Sequence, residues 1–255
     1  MTAIPRSTSV SVIPNIMLVT LRQLLGRRRA VLLLVLSAVP VLIALLYRAA
    51  GADEVDGFAG GVLEVLCLNL ILPIIAVLFG TAAFGAEIED GTIVYLMSKP
   101  IARWAMVAAK LLAAASLTVI LAAGSVVIAS AIAIVHIEDR GLSAMEVYTT
   151  AMVVGSICYV ALFVALSLFT RRALLIGFAY VLIWEGALSN LLPGIANLSI
   201  RQYAIGAGQV FDDLAPERAR LEPETAIPLA AIVVVVATVL ATRRLMRFEI
   251  SGETD

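Results

Sequence analysis

Charge is scarce in this chain. Only 15% of its 255 residues are Asp, Glu, Lys or Arg, against about 25% in ordinary soluble domains, while 62% are hydrophobic. A surface that apolar is not stable in water, which excludes a soluble domain and points to a bilayer. Lysine is scarcer still: Lys99 is followed by Pro100 and Lys110 by Leu111, and there is no other. The phosphate-cradling pattern G-x-x-x-x-G-K-[ST] is therefore impossible. A single histidine, His136, excludes every chemistry that needs two. The two cysteines, Cys67 and Cys158, both sit in apolar runs, which excludes a disulfide framework and a Cys-rich metal site. His136 falls in an outer loop and no aspartate lies in a long apolar run, so the paired-Asp, Ser–His and zinc arrangements of intramembrane proteolysis are missing and no enzyme is expected. A net charge of -1 offers nucleic acid nothing.

What the chain does have is long hydrophobic runs. Stretches of about 18 or more nearly uncharged residues mark spanning helices, and they predict six, at about 30–47, 62–86, 105–135, 147–170, 173–189 and 226–242. The expected fold is an all-α polytopic membrane protein, with residues 1–255 forming one transmembrane domain. Pro73 is expected to kink the second span, Glu64 to lie at its outer edge, and Lys110 to snorkel from the third span to the headgroups. Lys and Arg in short loops stay in the cytoplasm. With an internal amino terminus, 13 of the 18 basic residues fall inside, and the acidic groups at 53–56, 138–139 and 212–224 fall outside. Both termini are then cytoplasmic, in a multi-pass protein of the cell (inner or cytoplasmic) membrane.

Arg27–Arg29, the apolar run and Ala50-Gly51-Ala52 imitate a secretory signal. The run is longer than the about 7–15 residues of a signal core, and the residues ahead of it are patterned. Ile13, Ile16, Met17, Leu21, Leu24 and Leu25 recur at helical spacing opposite Asn15, Thr20, Arg22 and Gln23, the pattern of an amphipathic helix on the inner membrane surface.

Two connections exceed simple turns. On the cytoplasmic side, Glu87, Glu89 and Asp90 precede Gly91 and Thr92, then Ile93, Leu96 and Met97 on one helical face, then Pro100 and Arg103. Acidic residues suit a helix N-terminus and Pro100 ends the segment, so a two-turn helix is expected. It either docks a protein partner or rests on lipid headgroups. On the outer side, residues 186–223 begin apolar, are broken by Asn190, Pro193 and Asn197, and end acidic. Backbone that irregular enters a membrane only when buried in protein or lining a cavity, which predicts one or two short re-entrant helices. Glu185, about 18 Å into the fifth helix, is the intramembrane ionisable candidate. Alternatively the helix ends there and its carboxylate reaches the outer interface.

Residues 84–112, FGAEIEDGTIVYLMSKPIARWAMVAAKLL, resemble the ABC-2 family of ABC transporter permeases. The matching elements are Glu87, Glu89, Gly91, Thr92, Pro100, Arg103 and Lys110, and the likeness in layout extends over nearly the whole chain. The resemblance implies that residues 87–100 form a coupling helix seated in a groove of a separate cytosolic ATPase. It implies two such ATPases per complex, a second permease copy or related chain, and membrane lipids as neighbours. ATP and magnesium would be held on the ATPase, and this chain would hold no cofactor. It also implies re-entrant helices between the fifth and sixth spans; on the layout of two such halves, Glu185, Asn190, Pro193 and Asn197 are expected near an outer gate of the path between them. The expected function is the permease subunit of an ATP-driven exporter. The alternatives are an ion-coupled secondary carrier using Glu185, or a non-transporting membrane anchor for a cytosolic partner.

Overall fold

Backbone placed in hydrocarbon must bond to itself, and a helix satisfies every interior N–H and C=O within one segment. The computed structural model describes residues 9–91, 101–188, 198–211 and 220–247, and among them every regular element is helical. Helix α1 is Ser9–Leu24 and α2 is Arg27–Ala49. A turn through Gly51, whose φ of 68° suits glycine, leads into α3 (Val55–Phe58). A π-helical stretch, Ala59–Ile71, and then α4, Leu72–Glu89, continue it. Next come α5 (Arg103–Ala133), α6 (Glu138–Phe169) and α7 (Ala173–Ala179), the last prolonged by a second π-helical stretch, Tyr180–Leu188. Helices α8 (Ile200–Gly208) and α9 (Pro223–Arg247) complete the set.

Pro73 changes the hydrogen-bond register of its span. The N–H of Leu72 donates to the carbonyl of Cys67, five residues back. Proline brings no N–H, so the π ladder stops there and α-helix resumes.

Among the described residues, five helices are long and apolar enough to cross a membrane: Arg29–Ala49, Val55–Gly85, Arg103–Ala133, Arg140–Phe169 and Pro223–Arg247. At 1.5 Å per residue even the shortest covers about 30 Å, the thickness of the hydrocarbon core. The expected fifth span, 173–189, coincides with a shorter apolar helix, Ala173–Gly186, whose length of about 21 Å falls short of that thickness.

Helix α6 is the hub of the bundle, with α4, α5, α8 and α9 all packed on it, while α1 and α2 pack on α5. The α4–α6 contact depends on Gly80, where a Cβ would lie 2.7 Å from Cβ of Phe163. Gly85, on the same helix, has open space around it instead. Along α5 the buried alanines Ala105, Ala109, Ala113 and Ala114 admit close neighbours. Helix α1 turns Ile16, Leu21 and Leu24 toward the core, but Thr20, expected on its polar side, is buried among them and donates to the carbonyl of Ile16. The hydroxyl can lie there because it closes its bond within its own helix. At the periphery only 22% of the apolar windows of α2 and α9 is buried, and Leu32, Leu46, Ile232 and Val235 point outward. In hydrocarbon such faces cost nothing.

Candidate functional site

At the end of the bundle where α4 stops and α5 starts, a cation is enclosed. Lys110 lies two turns inside α5, and α4 places Ala83, Phe84 and Glu87 against it. Its ammonium donates to the carbonyl of Ala83 and to Oε2 of Glu87, and sits 4.5 Å from the centroid of the Phe84 ring. Lys110 is 1% exposed. The expectation that it snorkels to the headgroups is therefore overturned, because an acceptor, a counter-ion and a ring face are all supplied by the neighbouring helix. The pair ties α4 to α5 at the base of the connection between them.

Of the residues assigned to that connection, Glu87 is partly buried in the ion pair and Asp90 is exposed. Glu89 is the last residue of α4, and its side chain is outside the described residues. Gly91 has a φ of 68°, a left-handed turn that glycine takes without strain. Arg103 opens α5. Thr92, Ile93, Leu96, Met97 and Pro100 lie outside the described residues, and the coupling helix with them.

The second cluster surrounds Glu185, at the other end of the bundle. Its carboxylate is buried, accepts from the Tyr180 hydroxyl at 3.3 Å and the Ile200 N–H at 2.9 Å, and is also bonded by the Ser199 hydroxyl. Glu185 thus does not reach an exposed interface, as one expectation had it. The π-helical stretch aims it inward, where it meets the first backbone donor of α8, a group that a helix start leaves unpaired. Ser199 caps the same helix, accepting from the Gln202 N–H, and the Gln202 side chain accepts from the N–H of Arg220. Rings continue the cluster into the core: Tyr159 stacks near Phe163, which meets Tyr180 edge-on, and Tyr180 stacks with Trp184. Asn190, Pro193 and Asn197 lie outside the described residues. Glu64, expected at an outer edge, is partly buried and accepts from the Tyr148 hydroxyl at 3.2 Å.

Three contacts at that end carry little advance signal in the sequence. Arg48 donates to the carbonyl of Ile132 at 2.9 Å and lies 3.3 Å from Nδ1 of His136, and Arg140 pairs with Asp56 at 3.2 Å. Each joins residues 84 or 88 positions apart, so only complementary charge could have hinted at the ion pair. Among the described residues no group of three or more His, Cys, Asp or Glu side chains is arranged to hold a metal ion. The two cysteines are buried and free.

No curated protein matches the chain. Residues 37–252, from within α2 to beyond α9, match the family described as ABC-2 family transporter protein. With apolar helices able to cross a membrane and a match over most of its length, the chain belongs to the ABC-2 family of transporter proteins.

Proposed function

We propose that this membrane permease is the transmembrane subunit of an ATP-driven exporter in the cytoplasmic membrane, with both termini in the cytosol. The observation that carries the reading is the family match over residues 37–252. Two cytosolic ATPases, holding ATP and magnesium, work beneath two permease halves, this chain and a second copy or a related one. Residues 173–189 complete six spans per half, and short re-entrant helices follow them. The segment around residues 87–100 docks on the ATPase. The buried Glu87–Lys110 pair supports this role, since a push on the connector is passed to α4 and α5 together rather than absorbed by one fraying helix end. The transport path follows the interface of the halves, with its outer gate near Glu185, Asn190, Pro193 and Asn197.

The test is a detergent pull-down of the ATPase encoded beside the permease, or of one that co-purifies with it. Glu89→Lys and Leu96→Asp are expected to leave the permease inserted and folded while abolishing ATPase capture and ATP-driven transport. Normal capture and transport in both variants would defeat the docking assignment.

A further inference from the structure

At the arginine-rich end of the bundle, between the start of α2, the last turns of α4 and the α6–α7 corner, lies a cavity of about 350 Å³. That is within the about 300–1,000 Å³ of ordinary small-molecule sites. Its polar wall carries Arg29 and Arg171, both exposed toward it, and a single carboxylate, Asp90. Among the described residues neither guanidinium is held in an ion pair. The hydroxyls of Thr81 and Ser167 also face the space, but they donate to the carbonyls of Val77 and Val164, so they are not donors for a ligand. Thr170 also lines the space, where its hydroxyl accepts from the N–H of Arg172 and keeps its own hydrogen to donate; the charged donors are the two arginines, whose forks match the oxygens of a phosphate.

The cavity does not end in polar walls. Leu78, Ala82 and Arg29 also line an adjoining apolar slot of about 60 Å³, walled by Leu24, Leu33 and Phe79 and bounded by Leu32, which is 69% exposed on the outer face of α2. A charged chamber that passes into an apolar slot opening on a lipid-facing helix has the order of groups in a phospholipid. We propose that this cavity binds the phosphate headgroup of an anionic phospholipid of the cytoplasmic leaflet, with Arg29 and Arg171 on the phosphate and an acyl chain along Leu33, Phe79 and Leu32. Basic pockets between spanning helices on the cytoplasmic side hold anionic headgroups by the same chemistry. The placement of this end in the cytosol rests on the charge asymmetry of the loops, and the site is independent of what cargo the transporter carries.

Gly85 makes the proposal separable from folding. It lines the cavity and a Cβ there meets nothing within 4 Å, so Gly85→Leu takes up space in the cavity without a clash at its Cβ and leaves both arginines in place in the sequence. The full chain is placed in nanodiscs of phosphatidylcholine with a minor share of phosphatidylglycerol, and retained lipid is counted by native mass spectrometry. Wild type is expected to retain phosphatidylglycerol over phosphatidylcholine by roughly tenfold. Arg29→Gln/Arg171→Gln and Gly85→Leu are each expected to remove that preference, and Asp90→Asn to increase it. Equal retention of the two lipids by wild type, or an undiminished preference in the double arginine and Gly85→Leu variants, would overturn the site. Glycerol phosphate in excess distinguishes the sources of phosphate: displacement of the lipid at millimolar concentration would show a soluble-anion site and overturn the lipid assignment, whereas continued retention supports it.

Discussion

Lys110 illustrates how far one residue's role depends on its neighbours. Read alone, a lysine near the start of a span belongs among the headgroups; opposite Glu87 it becomes a buried clamp, 23 positions from its partner in the chain. Removing one member of a buried pair leaves the other charge without compensation, which costs about 3 kcal/mol or more. Lys110→Met is therefore expected to lower the detergent melting temperature markedly, and Lys110→Met with Glu87→Gln to recover most of the loss. If the double variant melts as low as the single one, the pair is not what stabilises this corner. Glu185 behaves similarly. Its carboxylate accepts from two hydroxyls and a backbone N–H, and an amide in its place turns donor hydrogens toward some of them. Glu185→Gln is expected to raise hydrogen exchange in residues 198–211 while leaving α5 protected, and to leave the pH dependence of transport as it is in the wild type. A lost pH dependence of transport would instead favour the proton-carrier alternative. Glu185 was legible in the sequence as an oddity in an apolar run, but its partners Ser199 and Ile200 were not, since nothing local links them to it.

Individual helices were the most legible level, because their length and apolar content are set residue by residue. The expected spans at 30–47, 105–135 and 226–242 each fall within α2, or on α5 and α9. The span expected at 147–170 begins earlier, at Glu138, since a helix continues past its apolar part wherever polar residues permit it. What periodicity does not reveal is which small residue is a contact. Gly80 and Gly85 lie on the same helix and read alike, yet only Gly80 faces Phe163 closely. Gly80→Val is expected to destabilise by about 1–3 kcal/mol through overpacking. Gly85→Ala is expected to be neutral or to gain about 0.4–1 kcal/mol by restricting the unfolded chain. Thermal unfolding in detergent reads both, and equal effects would place the α4–α6 contact elsewhere.

For the whole molecule, orientation follows from the distribution of basic residues, and it is open to a direct measurement. Cys67 and Cys158 are buried, so an exposed engineered thiol dominates labelling. Asp53→Cys, in the loop after α2, is expected to react with a membrane-impermeant reagent on intact cells. Trp104→Cys, at the start of α5 and 49% exposed, is expected to react only after permeabilisation. The reverse pattern would invert the topology and with it the placement of the phosphate cavity.

The sequence by itself determined that this is a helical membrane protein, roughly where its helices run and to which family it is similar. Hydrophobic transfer and backbone satisfaction act on consecutive residues, and these properties survive any rearrangement of the helices. Only the tertiary structure decided that Lys110 is enclosed by α4, that Glu185 holds the start of α8, and that Arg29 and Arg171 share a cavity. Those outcomes depend on how each helix is rotated about its axis and which neighbour it meets. Rotation and neighbour are set by packing between residues far apart in the chain, which no local pattern records.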